Sequence, residues 1–546
     1  MKRRNTSRLL LAALVLTARS QAPACTSILV TKGASADGST MITYAADSHE
    51  LYGELTLTPA GTHRMGTMRD IVDWDSSKLL GRIPQPPITY QVVGNMNEHQ
   101  VAIAESTWGG RDELKGPAGI LDYGSLIYIA LERSRTARDA IQVMTDLVAE
   151  YGYASTGESF SIADPTEAWI LEMIGKGEKQ KGAVWVAVKL ADGTISGHAN
   201  QPRVRTFPLD DPKNCLYAKD VASFAREKGW FSGRDEELSF AEVYSPLRGA
   251  TIRSCDARVW SVFRRAAPSL KLSSDWVMGV RGARPLPFSV KPDRKLSVSD
   301  VMELMRDHFE GTELDMTKGV GAGPFALPYR WRPMTFKVDG QEYLHERAIS
   351  TQQTGFSFVS QSRSWLPSAI GGLLWFGFDD TASTVYTPIY CGIRSVPRTF
   401  GAGAGSFSRF SWDSAFWVFN FVSNWAYSRY SDMIVEIQKV QREWEDRLLS
   451  EQSEVEKAAL RLQAESPAQA RDYLTAYSTS QGDALVVRWR ALGEFLIWKF
   501  IDGNVRDSQG NVTHPRYPED WYRRIAREQG NLGKVPVLEG EKPRSE

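Results

Sequence analysis

Hydrophobic and polar positions divide this chain into segments of different period. Four positive charges (Lys2, Arg3, Arg4, Arg8) precede an apolar run of nine residues, Leu9 to Thr17. The run is far short of the roughly 20 residues needed to span a bilayer. Polar residues and the small-x-small triplet Ala22-Pro23-Ala24 follow. That order predicts a signal peptide over residues 1–24, cut after Ala24, and an exported protein, periplasmic or extracellular. Next, Cys25 to Thr31 is rich in β-branched residues, Lys32 to Ser39 holds Asp37-Gly38, and Thr40 to Tyr44 is strand-like again. Strand, turn and strand predict a β-hairpin over 25–49 that carries Asp47 back beside Cys25.

Further on, Leu126, Ile129, Ala130, Ala137, Ala140, Ile141 and Met144 fall at helical spacing within 121–150, with Thr136 and Asp139 as a helix start. Glu158 to Glu172 reads as a hairpin around Asp164-Pro165, and Lys181 to Leu190 as another strand. Residues 297–310 read as a helix opened by Ser297 or Ser299, and Gly319 to Gly323 as a flexible segment. Gly371 to Gly377 and Tyr386 to Gly392 read as central buried strands. From Ser431 the period is helical: Ile434, Ile437, Val440, Trp444, Leu448 and Leu449, then Leu485 to Ile501. The pattern predicts a body over 25–430 and a C-terminal helical region and loop-rich tail over 431–546. The helices are a candidate surface for homo-oligomer contacts.

Composition narrows the class. The 546 residues carry 65 basic and 65 acidic side chains, which argues against binding nucleic acid or a membrane surface through net charge. No stretch after the leader has the length and apolarity of a membrane span. The glycines at 319–323 lack the Lys-Ser/Thr of a phosphate loop. Asp379-Asp380 reads as a solvated pair of turn acids. The four cysteines (Cys25, Cys215, Cys255, Cys391) form no CxxC pair, so no zinc site is expected.

Cleavage after Ala24 would place a nucleophile and a base on one residue. The thiol and the α-amine titrate near about 8.5 and 8, and the amine can take the thiol proton before attack on a carbonyl. Three other fates are open to Cys25: a lipid-bearing lipoprotein cysteine, half of a disulfide, or a buried thiol. If Cys25 is the nucleophile, three cysteines remain, and Cys215–Cys255 is the expected pair. Asp47 is either a carboxylate that orients the amine or a turn residue.

The run Cys-Thr-Ser-Ile-Leu-Val-x-Lys-Gly-Ala-Ser-x-Asp-Gly-Ser-Thr-Met-Ile-x-x-x-x-Asp-Ser, residues 25–48, resembles the start of the cysteine dipeptidases. These are N-terminal-nucleophile (Ntn) hydrolases related to penicillin V acylases and bile salt hydrolases. The resemblance covers most of 25–395, including 94–107, 345–354 and 358–367. It implies an α+β fold, a four-layer αββα sandwich, with 25–430 as the catalytic domain, and a dipeptide or short peptide as substrate without metal or cofactor. Cys25 is the implied nucleophile and Asp47 positions its amine. Asn200, in Gly-His-Ala-Asn-Gln, matches the oxyanion donor, and Arg258 the arginine near the sulfur; otherwise Arg258 is a surface ion-pair residue. Asn97 and Glu98 would shape a turn, and Thr107 lies about where acylases place a pocket residue. His198 is expected to be a packed histidine, since the α-amine already serves as base. Tyr44 stands where many relatives carry Arg. The alternatives are an N-acyl amide hydrolase and a surface lipoprotein anchored through Cys25.

Overall fold

In a computed structural model, residues 25–115, 119–247, 249–332 and 334–536 are described. The expected signal-peptide segment 1–24 and residues 537–546 of the tail lie outside them. The N-terminal hairpin forms as expected: β1 (Ser27–Val30) and β2 (Met41–Asp47) pair antiparallel, Leu29 opposite Ile42. Every residue of both strands is buried, so the hairpin sits inside the molecule. The remaining main strands are β3 (Ala102–Trp108), β4 (Gly157–Ala163), β5 (Ala168–Gly175), β6 (Ala183–Lys189), β7 (Ile195–His198), β8 (Thr354–Gln361), β9 (Leu373–Phe378) and β10 (Thr387–Tyr390).

Two antiparallel sheets result. The seven-stranded sheet runs Ser289–Val290, β7, β1, β2, β8, β9, β10. The eight-stranded sheet runs Cys215–Tyr217, β6, β5, β4, β3 and then the short strands 96–97, 92–93 and 57–58. They touch where β1 and β2 lie over β3 and β4; there Ser27 Oγ and Ser161 Oγ are 2.7 Å apart. Ile28 is opposite Gly197 on β7. A Cβ at Gly197 would come within 2.9 Å of the Ser27 carbonyl, so only glycine lets β7 approach β1 this closely.

Helices cover the outer surfaces. α1 (Tyr123–Arg133) and α2 (Ala137–Tyr151) pack Leu126, Ile129, Ile141 and Met144 against Ile103, Phe160 and Trp169 of the eight-stranded sheet. Thr136 Oγ1 accepts from Asp139 N at 3.1 Å and starts α2, as its sequence predicts. α3 (Ala257–Ala266) contacts β7, and α4 (Val298–Met305) contacts β8. Ser297 and Asp300 cap α4 reciprocally. The expected helix 297–310 ends early. The carboxylate of Asp307 accepts from Phe309 N, that of Glu310 accepts from His308 N, and Phe309 turns left-handed at φ 65°.

The C-terminal helices are α5 (Ala415–Ala426), α6 (Tyr430–Glu465) and α7 (Pro467–Lys499). α6 and α7 pack side by side, and both reach β10. Phe378, Phe419 and Trp489 continue one core from sheet to helices, with Phe419 and Trp489 stacked at 4.8 Å. Two expectations are corrected here. β10 is an edge strand rather than a central one. It reads as central because α7 covers it, and Ser478 Oγ donates to the Pro388 carbonyl at 2.9 Å. The helical region also begins sixteen residues before Ser431, at Ala415. Among the described residues no helix is long and apolar enough to cross a membrane.

Cys215 and Cys255 do not pair, and all four cysteines are free and buried. Cys215 starts an edge strand in one core cluster, whereas Cys255 lies in the turn before α3. Asp379 and Asp380 are not solvated either, at 1% and 0% exposed. Asn420 and Ser423 donate to Asp379, while Ser350, Tyr329 and the Ala382 N–H donate to Asp380. Burial, then the neighbouring Asp380, push the Asp379 carboxyl up to about 7. A carboxyl that holds its proton more tightly when folded stabilises the fold below about pH 4 and loses that contribution as pH rises to about 7. Asp379→Asn is therefore expected to reduce the fall in stability across that window by up to about 1.4 kcal/mol per pH unit. Denaturant melts at a series of pH values test this; an unchanged slope would contradict it.

Candidate active site

Cys25 sits just ahead of β1. The Thr26–Ala45 bridge (N–H to carbonyl, 3.3 and 3.0 Å) extends the hairpin and brings Cys25 beside the end of β2. Its Sγ accepts the Asp47 backbone N–H and lies 3.3 Å from Glu105 Oε1 and 3.9 Å from the Tyr44 hydroxyl. Burial pushes the thiol well up, and the charges of Glu105 and Asp47 push it further. Both effects favour the protonated thiol over the thiolate.

Asp47 closes β2. Its Oδ1 accepts from Thr354 Oγ1 on β8 at 2.7 Å. Its Oδ2 is buried without a hydrogen-bond partner, with the Arg347 guanidinium 3.7 Å away. Burial raises the carboxyl to about 7 against the opposing charge of Arg347. Burial and the nearby Arg258 lower Arg347 to about 9. The motif reading passed over Arg347, although it lies in the segment 345–354 that carries the resemblance.

Asn200 follows β7 in a left-handed turn, φ 58°, a conformation that asparagine tolerates better than most residues. Its Nδ2 donates to the Thr107 carbonyl at 2.5 Å, and its Oδ1 accepts from Arg258 at 2.9 Å. Arg258, at the start of α3, is fully buried and is not a surface ion-pair residue. It donates through Nε to Ser254 O, through one terminal nitrogen to Cys25 O and Thr26 Oγ1, and through the other to Ala199 O and Asn200 Oδ1. An arginine has five N–H donors, and each has an acceptor here. The guanidinium thus grips the carbonyl of Cys25 and fixes which way the Asn200 amide faces. The structure brings all four expected residues, Cys25, Asp47, Asn200 and Arg258, around one point.

Arg258→Lys keeps the charge but cannot reach five acceptors. It is expected to cost roughly 2–6 kcal/mol, at about 1–3 for each of two buried acceptors left unpaired. Equilibrium unfolding checks this, and a variant as stable as wild type would show that the grip contributes nothing.

His198 is packed, as expected, and neutral. Its ring nitrogens lie 2.6 Å from Ser106 Oγ and 2.7 Å from Ser161 Oγ, and burial lowers it to about 3. Asn97 shapes a turn, as expected: its side chain donates to the Leu131 and Ser134 carbonyls and accepts from His99 and Val101 N–H. A second residue that sequence reasoning missed is Glu105. It is 1% exposed on β3, with Tyr44 donating to its Oε1 and the Thr107 hydroxyl 3.4 Å from its Oε2. An acid inside the apolar run Val101-Ala-Ile-Ala-Glu was the available signal, because buried acids need a reason.

Comparison with known proteins fits this arrangement. The description "Peptidase family C69" matches residues 24–57 and 51–443. A probable dipeptidase of Latilactobacillus sakei is 25% identical over 403 residues, 70% of this chain and 78% of that protein. A probable dipeptidase of Salmonella dublin is 26% identical over 395 residues, 68% and 82% of the two chains. Dipeptidase A of Lactobacillus helveticus is 24% identical over 415 residues, 72% and 80%. With the Cys25 hairpin, Asn200 and Arg258 all inside the matched span, the chain belongs to peptidase family C69.

Proposed function

We propose that this protein is an exported cysteine dipeptidase that acts through an N-terminal Cys25 released by cleavage after Ala24. The observation that carries the reading is the Asp47 carboxyl beside Cys25. One of its oxygens is buried and lacks a hydrogen-bond partner, and an α-ammonium on Cys25 would supply the missing donor. The amine, held by Asp47, takes the thiol proton, and the thiolate attacks the peptide carbonyl. Asn200 stabilises the oxyanion, a contribution typically worth roughly 3–4 kcal/mol. Arg258 acts as a positioning residue through Asn200 and the Cys25 carbonyl. The ammonium returns its proton to the leaving amine, and water hydrolyses the thioester. The two touching sheets, helix-covered on both sides, support a four-layer αββα sandwich of the Ntn type.

N-terminal sequencing and intact mass of the exported protein test the reading, together with a dipeptide panel. A chain that begins with free Cys25 and hydrolyses dipeptides supports it. Acylation of Cys25 would make the protein a lipoprotein instead. Turnover of phenoxyacetyl amides but not dipeptides would make it an acylase.

A further inference from the structure

We propose that Arg347 is a positioning residue of this site: its guanidinium keeps the buried Asp47 carboxylate charged and leaves open the oxygen on which the Cys25 amine docks. The inference rests on the function proposed above and adds the group that sets the pH at which the amine and carboxylate work.

Geometry is the first argument. One segment attends to both oxygens of Asp47. Thr354, opposite Asp47 in the register of β2 and β8, donates to Oδ1 at 2.7 Å. Arg347, earlier on the same segment, places a terminal nitrogen 3.7 Å from Oδ2. That is an ion-pair separation beyond hydrogen-bond reach. The cation therefore supplies charge without filling a lone-pair position, and Oδ2 keeps room for a donor.

The second argument is the balance of charge. Asp47 is 1% exposed and the Arg347 side chain 11%, so water screens the pair weakly. The other groups facing Asp47 are Arg258, Glu105, the Cys25 thiol and Arg332. Glu105 opposes the carboxylate's charge. Arg258 donates to Ser254, Cys25, Thr26, Ala199 and Asn200, and Arg332 to His49 and Gln353. Among the described residues, the cation within ion-pair distance of Asp47 is Arg347. Burial pushes the carboxyl up to about 7, and Arg347 is the largest influence against that rise. Without Arg347 the carboxyl would hold its proton at higher pH, and a neutral carboxyl does not anchor an ammonium ion. The same cation also weakens the hold of the nearby amine on its proton. Removing it makes both groups bind protons more tightly, so the two effects have one sign.

The test is the pH profile of kcat/KM on one dipeptide with processed protein, whose acid limb reports the free enzyme. Arg347→Met should move that limb up by about 1–3 pH units, the effect of one adjacent opposite charge on a carboxyl, with activity recovering above it. Arg347→Gln, which stays polar but loses the charge, should do the same, and Arg347→Lys should restore the wild-type limb. An unmoved limb in whichever uncharged variant folds, or an equal shift in Arg347→Lys, would overturn the role, because a merely structural arginine lowers activity alike at every pH. Infrared difference spectra against Asp47→Asn follow the carboxylate without catalysis. A midpoint that rises when Arg347 is replaced supports the role even if Cys25 proves not to be the nucleophile. Cys25-dependent turnover with an unmoved acid limb keeps the mechanism and removes Arg347 from it.

Discussion

Cys25→Ala in the processed protein is expected to lower kcat/KM on dipeptides by at least about a thousandfold, in line with removal of a nucleophile elsewhere. Stability should change by no more than about 1 kcal/mol, the scale of one small buried group. The two expectations separate because of what surrounds the sulfur. Sγ is neither in a disulfide nor exposed. Its neighbours Glu105 and Tyr44 already hydrogen-bond to each other, so they remain satisfied without it. The hairpin is held by the Thr26–Ala45 bridge and by Arg258 on the Cys25 carbonyl, which alanine preserves. Kinetics and thermal melts on the same preparation check both. Residual activity within tenfold of wild type would remove Cys25 from the chemistry, and a large loss of stability would make it a structural thiol.

The features that could be read from the chain were local ones. Asp37-Gly38 between β-branched runs specifies a hairpin wherever it is placed. Thr136 and Ser297 cap helices through hydrogen bonds within three residues. What escaped reading depends on partners far along the chain. The fate of Asp379 is set by Ser423 and Asn420 on α5, and that helix was missed. Its aromatic residues Phe416, Trp417, Phe419, Phe421 and Trp425 circle the helix and leave no clean polar stripe. β10 seemed central because an edge strand covered by α7 is as apolar as an inner one.

The same distinction applies at the site. Cys25, Asp47, Asn200 and Arg258 are legible because a resemblance fixes their positions. Tyr44 was legible only as a departure. Its hydroxyl donates to Glu105, a partner 61 residues away in sequence, and neither residue signals the other before the strands are packed. At this position the chain carries a phenol that holds an acid beside the sulfur.

Adding one residue before Cys25 is expected to abolish activity as thoroughly as removing the thiol. A mature chain that begins with Ala24 keeps Sγ, Asn200 and Arg258, yet it converts the Cys25 amine into an amide. An amide nitrogen takes up no proton near neutral pH, so the thiol loses the base proposed for it. His198 cannot replace that base. His198 is locked between two serine hydroxyls and lowered to about 3. Glu105 and Asp47 raise the thiol further by their charge, with Asp47 itself near about 7. The expected loss is at least about a thousandfold in kcat, since both the base and the acid for the leaving amine disappear, each worth about 10²–10⁴. Paired preparations that begin at Cys25 and at Ala24 test this on one dipeptide. If both forms turn over equally, the proton goes elsewhere, and the unpartnered oxygen of Asp47 must serve another purpose. If only the first does, that oxygen marks where the new amine docks, and proteolysis is the event that completes the active site.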